Sequence, residues 1–113
     1  MVDWTSGYIS DIDYTYGYYP ELNPLHTKLA FLNAGILTPS NNLHACELGY
    51  GQGLSVNIHA AASSALWTGT DFNPSQAGYA QELASASQSN AQLYDEAFAD
   101  FTQRNELPDF DYI

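Results

Sequence analysis

The run Glu47-Leu-Gly-Tyr-Gly-Gln-Gly53 constrains this chain more than any other feature. Its glycines follow the apolar stretch Leu43-His-Ala-Cys-Glu-Leu48 and precede a helical pattern, so they mark a sharp strand-to-helix turn. With no Cβ atoms at these positions, the backbone can pass close beside a ligand where side chains would clash. A second strand-like run, Ala65 to Thr70, leads to Asp71, about twenty residues beyond the turn. An α/β nucleotide site places an acceptor for ribose hydroxyls there.

The remaining pattern supplies the elements around that turn. Asn23 is placed as an N-cap and Pro24 as the first helical residue. Leu25, Leu29 and Leu32 recur at helical spacing, and Gly35 ends the helix, which is predicted to pack on the sheet. A polar turn over Thr38-Pro-Ser-Asn-Asn42 leads into a first strand at 43–48. A helix follows at 54–64 with Leu54, Ile58, Ala61 and Ala65 on its inward face, then a second strand at 65–70. Asn73-Pro74 repeats the cap-then-proline start and opens a helix over 75–86, with Tyr79 and Leu83 on one face. Because Asn73 fills the cap, Asp71 is left for the ribose role. Residues 91–94 read as a third strand, 97–101 as a helical turn and 110–113 as a fourth strand.

Strands alternating with helices imply α/β architecture: a parallel Rossmann-like sheet with helices on both faces. In such a sheet the first strand is central, the second and third lie to one side and the fourth to the other, so the crevice opens between strands one and four. The chain stops on the apolar run Asp109-Phe-Asp-Tyr-Ile113, which predicts a domain truncated after its fourth strand. The division is an aromatic N-terminal segment, 1–22, and a partial cofactor-binding domain, 23–113.

The fragments A-C-E-L-G-Y-G-Q-G, W-T-G-T-D-F-N-P and D-F-D-Y-I, within 23–113, resemble the N-terminal half of class I S-adenosylmethionine (SAM)-dependent methyltransferases. They resemble in particular a bacterial group with a regulatory domain further along the chain. The E-x-G-x-G-x-G spacing fits that family better than the dinucleotide fingerprint G-x-G-x-x-G, and SAM has no phosphate to seat on a helix N-terminus. The resemblance implies SAM as cofactor and S-adenosylhomocysteine (SAH) as product. It gives Glu47 to the amino group or to holding the loop. Gly49, Tyr50, Gly51 and Gly53 form the cradle, Asp71 takes the ribose hydroxyls and Phe72 flanks the adenine. Asp95 or Glu96, with the Ala97 backbone, lies at the adenine, the doubled acid leaving the register open by one residue.

Charge and composition narrow the partners. Thirteen acidic residues against two basic ones, Lys28 and Arg104, give a net charge of −11, which argues against a phosphate backbone as partner. A single cysteine, Cys46, forms no internal disulfide and points to a reducing, cytoplasmic compartment; as a strand residue it reads as core rather than nucleophile. No apolar run approaches the roughly 18–20 residues of a membrane span. His26, His44 and His59 show no metal-ligand spacing, so no metal site is expected. The aromatic cluster Trp4, Tyr8, Tyr14, Tyr16, Tyr18 and Tyr19 reads either as a lid over a cationic cofactor or as core and interface.

Three readings stand: the SAM-binding portion of a methyltransferase, inactive by itself; a fragment of an NAD-type oxidoreductase; and a non-catalytic α/β binding or assembly module. No catalytic base and no methyl acceptor is legible. The fourth strand, as an exposed sheet edge, predicts self-association.

Overall fold

A computed structural model describes Thr5, Gly7 and residues 15–38 and 43–113. Trp4, Tyr8 and Tyr14 of the aromatic cluster, and residues 39–42 of the predicted polar turn, lie outside the described residues.

Helix α1 spans Pro24–Asn33 and is preceded by a 3-10 turn over Pro20–Leu22. Its ends are set locally. The Asn23 side chain accepts from the Leu25 N–H at 3.0 Å, and Pro24 occupies the first turn, where its missing donor is not needed. At the other end Gly35 takes φ +72°, the Gly35 N–H bonds the Leu32 carbonyl and the Ile36 N–H bonds the Phe31 carbonyl, a Schellman stop.

The sheet is parallel. Strand β1 (His44–Leu48) pairs with β2 (Leu66–Thr70), which pairs with β3 (Gln92–Tyr94). Helix α2 (Leu54–Ala62) joins β1 to β2, helix α3 (Pro74–Ser87) joins β2 to β3, and a short helix α4 (Phe98–Phe101) follows. Ala45 lies opposite Trp67, Glu47 opposite Gly69 and Gly69 opposite Leu93, so one face of the sheet carries Ala45, Trp67 and Leu93. These form the core with Val56 and Ala60 of α2 and with Ala77, Ala80 and Ala84 of α3. On the opposite face Phe101 of α4 packs against Tyr94, with ring centroids 6.0 Å apart. Helices therefore flank both faces, as the alternating pattern predicts.

Three local expectations are corrected. Helix α1 buries no residue: Leu25, Leu29 and Leu32 are 58%, 67% and 62% exposed. A polar contact ties it to the C-terminal segment, between Thr27 Oγ1 and the Tyr112 hydroxyl at 3.1 Å, while the leucine stripe stays exposed.

The inward face of α2 is Ser55, Val56, Asn57, His59 and Ala60, with Ile58 exposed at 41%. Ser55 and Asn57 go inside with hydrogen-bond partners for Oγ and Nδ2, whereas His59 is held by ring packing, its two nitrogens buried without a partner. Ser55 Oγ accepts the Tyr19 N–H at 2.7 Å, Asn57 Nδ2 donates to the Gly53 and Ala80 carbonyls, and the His59 ring meets Tyr18 edge-on and lies tilted against Trp67. On α3 the buried stripe is Gln76, Ala77, Ala80 and Ala84, with Tyr79 and Leu83 half-buried on its flank. Alanines let α2 and α3 approach closely, which apolar counting alone undervalues.

The fourth strand is reduced to a single bridge, Tyr112 opposite Ala45. It lies on the edge of β1 away from β2, giving the predicted order. The Cys46 N–H bonds the Tyr112 carbonyl and the Asp111 N–H bonds the His44 carbonyl. At the next ladder position the Asp111 carboxylate, rather than a backbone carbonyl, takes the His44 N–H at 2.9 Å, and regular pairing goes no further.

Candidate functional site

The turn from β1 to α2 is left-handed at each glycine, with φ +72°, +62° and +80° at Gly49, Gly51 and Gly53. Only glycine adopts this conformation without penalty. Space is decisive at Gly53, where an added Cβ would lie 2.4 Å from the Ala80 Cβ; the third glycine is where α2 meets α3. Outside the motif, Gly69 of β2 is equally constrained, since a Cβ there would sit 2.8 Å from the Glu47 carbonyl oxygen.

All three glycine amides are engaged within the chain. The Gly49 N–H donates to the Thr70 carbonyl at 2.8 Å, the Gly51 N–H to Asp71 Oδ2 at 2.8 Å and the Gly53 N–H to the Tyr50 carbonyl at 3.0 Å. Tyr50 is buried and donates its hydroxyl to the Tyr94 carbonyl at 2.8 Å. The turn is thereby bolted to the ends of β2 and β3. Burial, with Asp71 and Asp95 nearby, pushes the Tyr50 phenol well above its ordinary value, so it stays a neutral donor.

Asp71 is 6% exposed, and both of its oxygens accept backbone N–H groups, Oδ2 from Gly51 and Oδ1 from Asn73 at 2.9 Å. Asn73 does cap α3, its side chain accepting from the Ser75 N–H at 3.1 Å. The expectation that this leaves Asp71 free is corrected. The carboxylate braces the glycine turn, and only its remaining lone pairs are open to anything else.

Glu47, at the carboxyl end of β1, differs in kind. Its Oε2 is buried without a hydrogen-bond partner, and burial raises its carboxyl from the usual range to about 7. It lines a cavity of about 70 Å³ over the glycine turn with Gly49, Gly53, Ser55, Tyr19 and Leu22. A second cleft of about 250 Å³, bounded by Cys46, Trp67 and Tyr112, shares Leu22, Glu47 and Gly49 with it. Cys46 is buried and its thiol is pushed up to about 11 by burial and by Glu47, which leaves it protonated, as a core residue would be.

The doubled acid after β3 divides its roles. The Glu96 carboxylate is gripped by Arg104 at 2.5 and 2.8 Å, while Asp95 is exposed. Phe72 is half-buried after Asp71, and Ala97, exposed, starts α4 with its carbonyl accepting the Phe101 N–H. Of the tyrosines, Tyr19 lines the cavity, Tyr18 packs on His59 and Tyr16 sits edge-on to Tyr79 at 5.4 Å. Glu47, the three glycines, Asp71 and Asp95 therefore fall at the carboxyl ends of three adjacent strands.

Sequence reasoning missed Ser55, Gly69, Thr70 and Arg104 as parts of this region. The scarcity of basic residues was the one available signal, since a lone arginine among many acids finds a partner. Among the described residues no cluster of three or more His, Cys, Asp or Glu is placed to hold a metal, and no helix is long and apolar enough to cross a membrane.

The architecture is that of a Rossmann-like α/β domain. No family model matches the chain. The uncharacterized protein sll1526 of Synechocystis sp. is 38% identical over 114 residues, covering 97% of this chain and 22% of that protein. The chain thus spans about a fifth of the length of the curated relative it matches. Among solved structures, PKMT2 from Rickettsia typhi in complex with AdoHcy superposes with a TM-score of 0.71 at 18% identity, over 88% of this chain and 19% of that one. Coclaurine N-methyltransferase bound to N-methylheliamine and SAH gives a TM-score of 0.51 at 19% identity, over 97% of this chain and 31% of that one. At these identities the likeness is one of fold.

Proposed function

We propose that this chain is the SAM-binding portion of a methyltransferase, with the cofactor lying across the carboxyl ends of β1, β2 and β3. The observation that carries the reading is Glu47. A buried carboxylate oxygen with no partner, beside a left-handed glycine turn, lacks the cation that would stabilise its charge, and the α-ammonium group of SAM is such a cation. The internally satisfied glycine amides favour SAM over a dinucleotide, because a pyrophosphate needs free N–H groups at this turn. Both fold neighbours were solved with AdoHcy or SAH, which supports the same choice.

In this reading Gly49 and Gly51 lie beside the amino-acid part and the ribose. Asp71 offers its remaining lone pairs to the ribose hydroxyls, Phe72 flanks the adenine, and Asp95 with the Ala97 backbone meets the adenine edge. SAM supplies an activated methyl group. The chain's own residues bind and orient it and exclude water, which is a matter of proximity. Tyr19 and Leu22, from the N-terminal segment, form a wall of the site, and 23–113 act as the cofactor domain. The acceptor surface and turnover belong to parts of a longer protein such as the matched relative.

Calorimetric titration of SAH and NAD+ into the chain tests this. SAH is expected to bind and NAD+ not to bind. Glu47→Gln is expected to weaken SAH about tenfold or more, as loss of one charge-assisted contact would. The parent's affinity is expected to fall as pH drops below about 7, where Glu47 takes up a proton. No SAH binding, or NAD+ binding in its place, would overturn the reading.

A further inference from the structure

The segment after β3 is held from two sides. From the sheet, Thr70 donates its hydroxyl to the Glu96 carbonyl at 2.5 Å and accepts the Glu96 N–H at 3.2 Å. The carbonyl of Tyr94, two residues earlier, accepts the Tyr50 hydroxyl at 2.8 Å and the Asp71 N–H at 3.1 Å. From the other side comes Arg104. Its guanidinium forks onto both oxygens of Glu96, reaches Glu106 Oε1 at 2.6 Å and lies 3.7 Å from the centroid of the Tyr94 ring. Tyr94 and Glu96 are therefore pinned by backbone and by side chain, and exposed Asp95 stands between them.

We propose that Arg104 is a positioning residue. By fixing Tyr94 and Glu96 it sets the direction of Asp95, and with it the preference of the site for a 6-aminopurine over a 6-oxopurine. The inference rests on the cofactor reading above. A flat fork that binds a carboxylate bidentately and also stacks on a ring is a property of arginine; a lysine point charge satisfies one of these contacts at a time. The Arg104–Glu96 pair is part-buried, with side chains 27% and 25% accessible, and it joins two points of one short segment, so the effect of losing it falls first on local order. An acid free to swing accepts from water as readily as from an exocyclic amine. A held one discriminates.

The test compares the parent chain with Arg104→Gln and Arg104→Lys. SAH and its inosine counterpart, S-inosylhomocysteine, are titrated into each, and amide hydrogen exchange is followed at 94–97 and at 45–60. The parent is expected to prefer SAH by about tenfold or more, and Arg104→Gln to lose most of that preference. Lysine is expected not to restore it. Exchange at 95–97 should rise about tenfold in Arg104→Gln, with 45–60 unchanged. Unchanged preference in both variants, or full rescue by lysine, overturns the proposal, and so does unchanged exchange at 95–97. A parent that binds neither ligand while exchange at 95–97 still rises selectively removes the cofactor reading and leaves the loop positioning standing.

Discussion

Helix α1 is capped at both ends and buries none of its residues, whereas the glycine turn has no side-chain cap on α2 and is buried from Tyr50 to Gly53. The helix draws its ends from neighbours in sequence: Asn23, Pro24 and the Gly35 stop. The turn draws two of its three glycine N–H bonds from Thr70 and Asp71, some twenty residues away, and its packing from Ala80. Local signals can thus define where an element starts and stops while leaving its environment open. Long-range partners can hold a backbone conformation that no local cap supports.

The widest contrast between these regions lies in their glycines. Gly53→Ala would place a Cβ 2.4 Å from Ala80, at a positive φ, and should cost about 3–5 kcal/mol in urea denaturation or prevent folding. Gly35→Ala meets nothing within 4 Å and carries only the left-handed penalty, about 1 kcal/mol. Similar losses at the two sites would erase the distinction between a locally and a tertiarily enforced turn.

Asp71 comes next. Removing its carboxylate strands the N–H groups of Gly51 and Asn73, and Asp71→Ala should lower stability by about 3 kcal/mol even without ligand. A ligand-free melting curve coinciding with the parent's would return Asp71 to a purely ligand-facing role.

Glu47 works in the opposite sense. Its folded pKa, about 7, stands above the ordinary carboxyl value, so its neutral form is the one the fold prefers. The stability tied to it is fully present below about pH 4.5 and is lost as pH rises toward 7. Relative to Glu47→Gln, the parent should therefore lose on the order of 2–3 kcal/mol across that window, and the variant should be the more stable at pH 8. Parallel stability curves for the two proteins from pH 4 to 8 would show that the carboxylate is satisfied.

The smallest effect is expected on α1. Leu29→Gln at a residue 67% exposed should shift stability by about 0.5 kcal/mol or less. A loss above about 1.5 kcal/mol would mean that the leucine stripe is covered in solution.

Much of the architecture is legible because it is written locally. Glycines where side chains clash, proline and asparagine at helix starts, and apolar runs between them place three parallel strands and the helices joining them within one or two residues of their observed bounds. The order of the strands follows from the α/β pattern as well. The facing of the helices does not. Ile58 looks like core by composition and is exposed, while Asn57 and His59 look like surface and are buried, because α2 is turned by how closely it can approach α3. In the site, the positions of Glu47, the three glycines and Asp71 can be read from spacing. That Asp71 braces the turn, and that Arg104 takes Glu96 rather than Asp95, cannot.

Sequence by itself determined the glycine turn, the caps and the alternation of strand and helix, since each depends on side-chain size and dihedral freedom within a few residues. Only the tertiary structure decided which carboxylate is satisfied and which is left wanting. Asp71 is paired and Glu47 is not because hydrogen bonding and desolvation depend on what the fold brings near a group, and neighbours in sequence do not fix that.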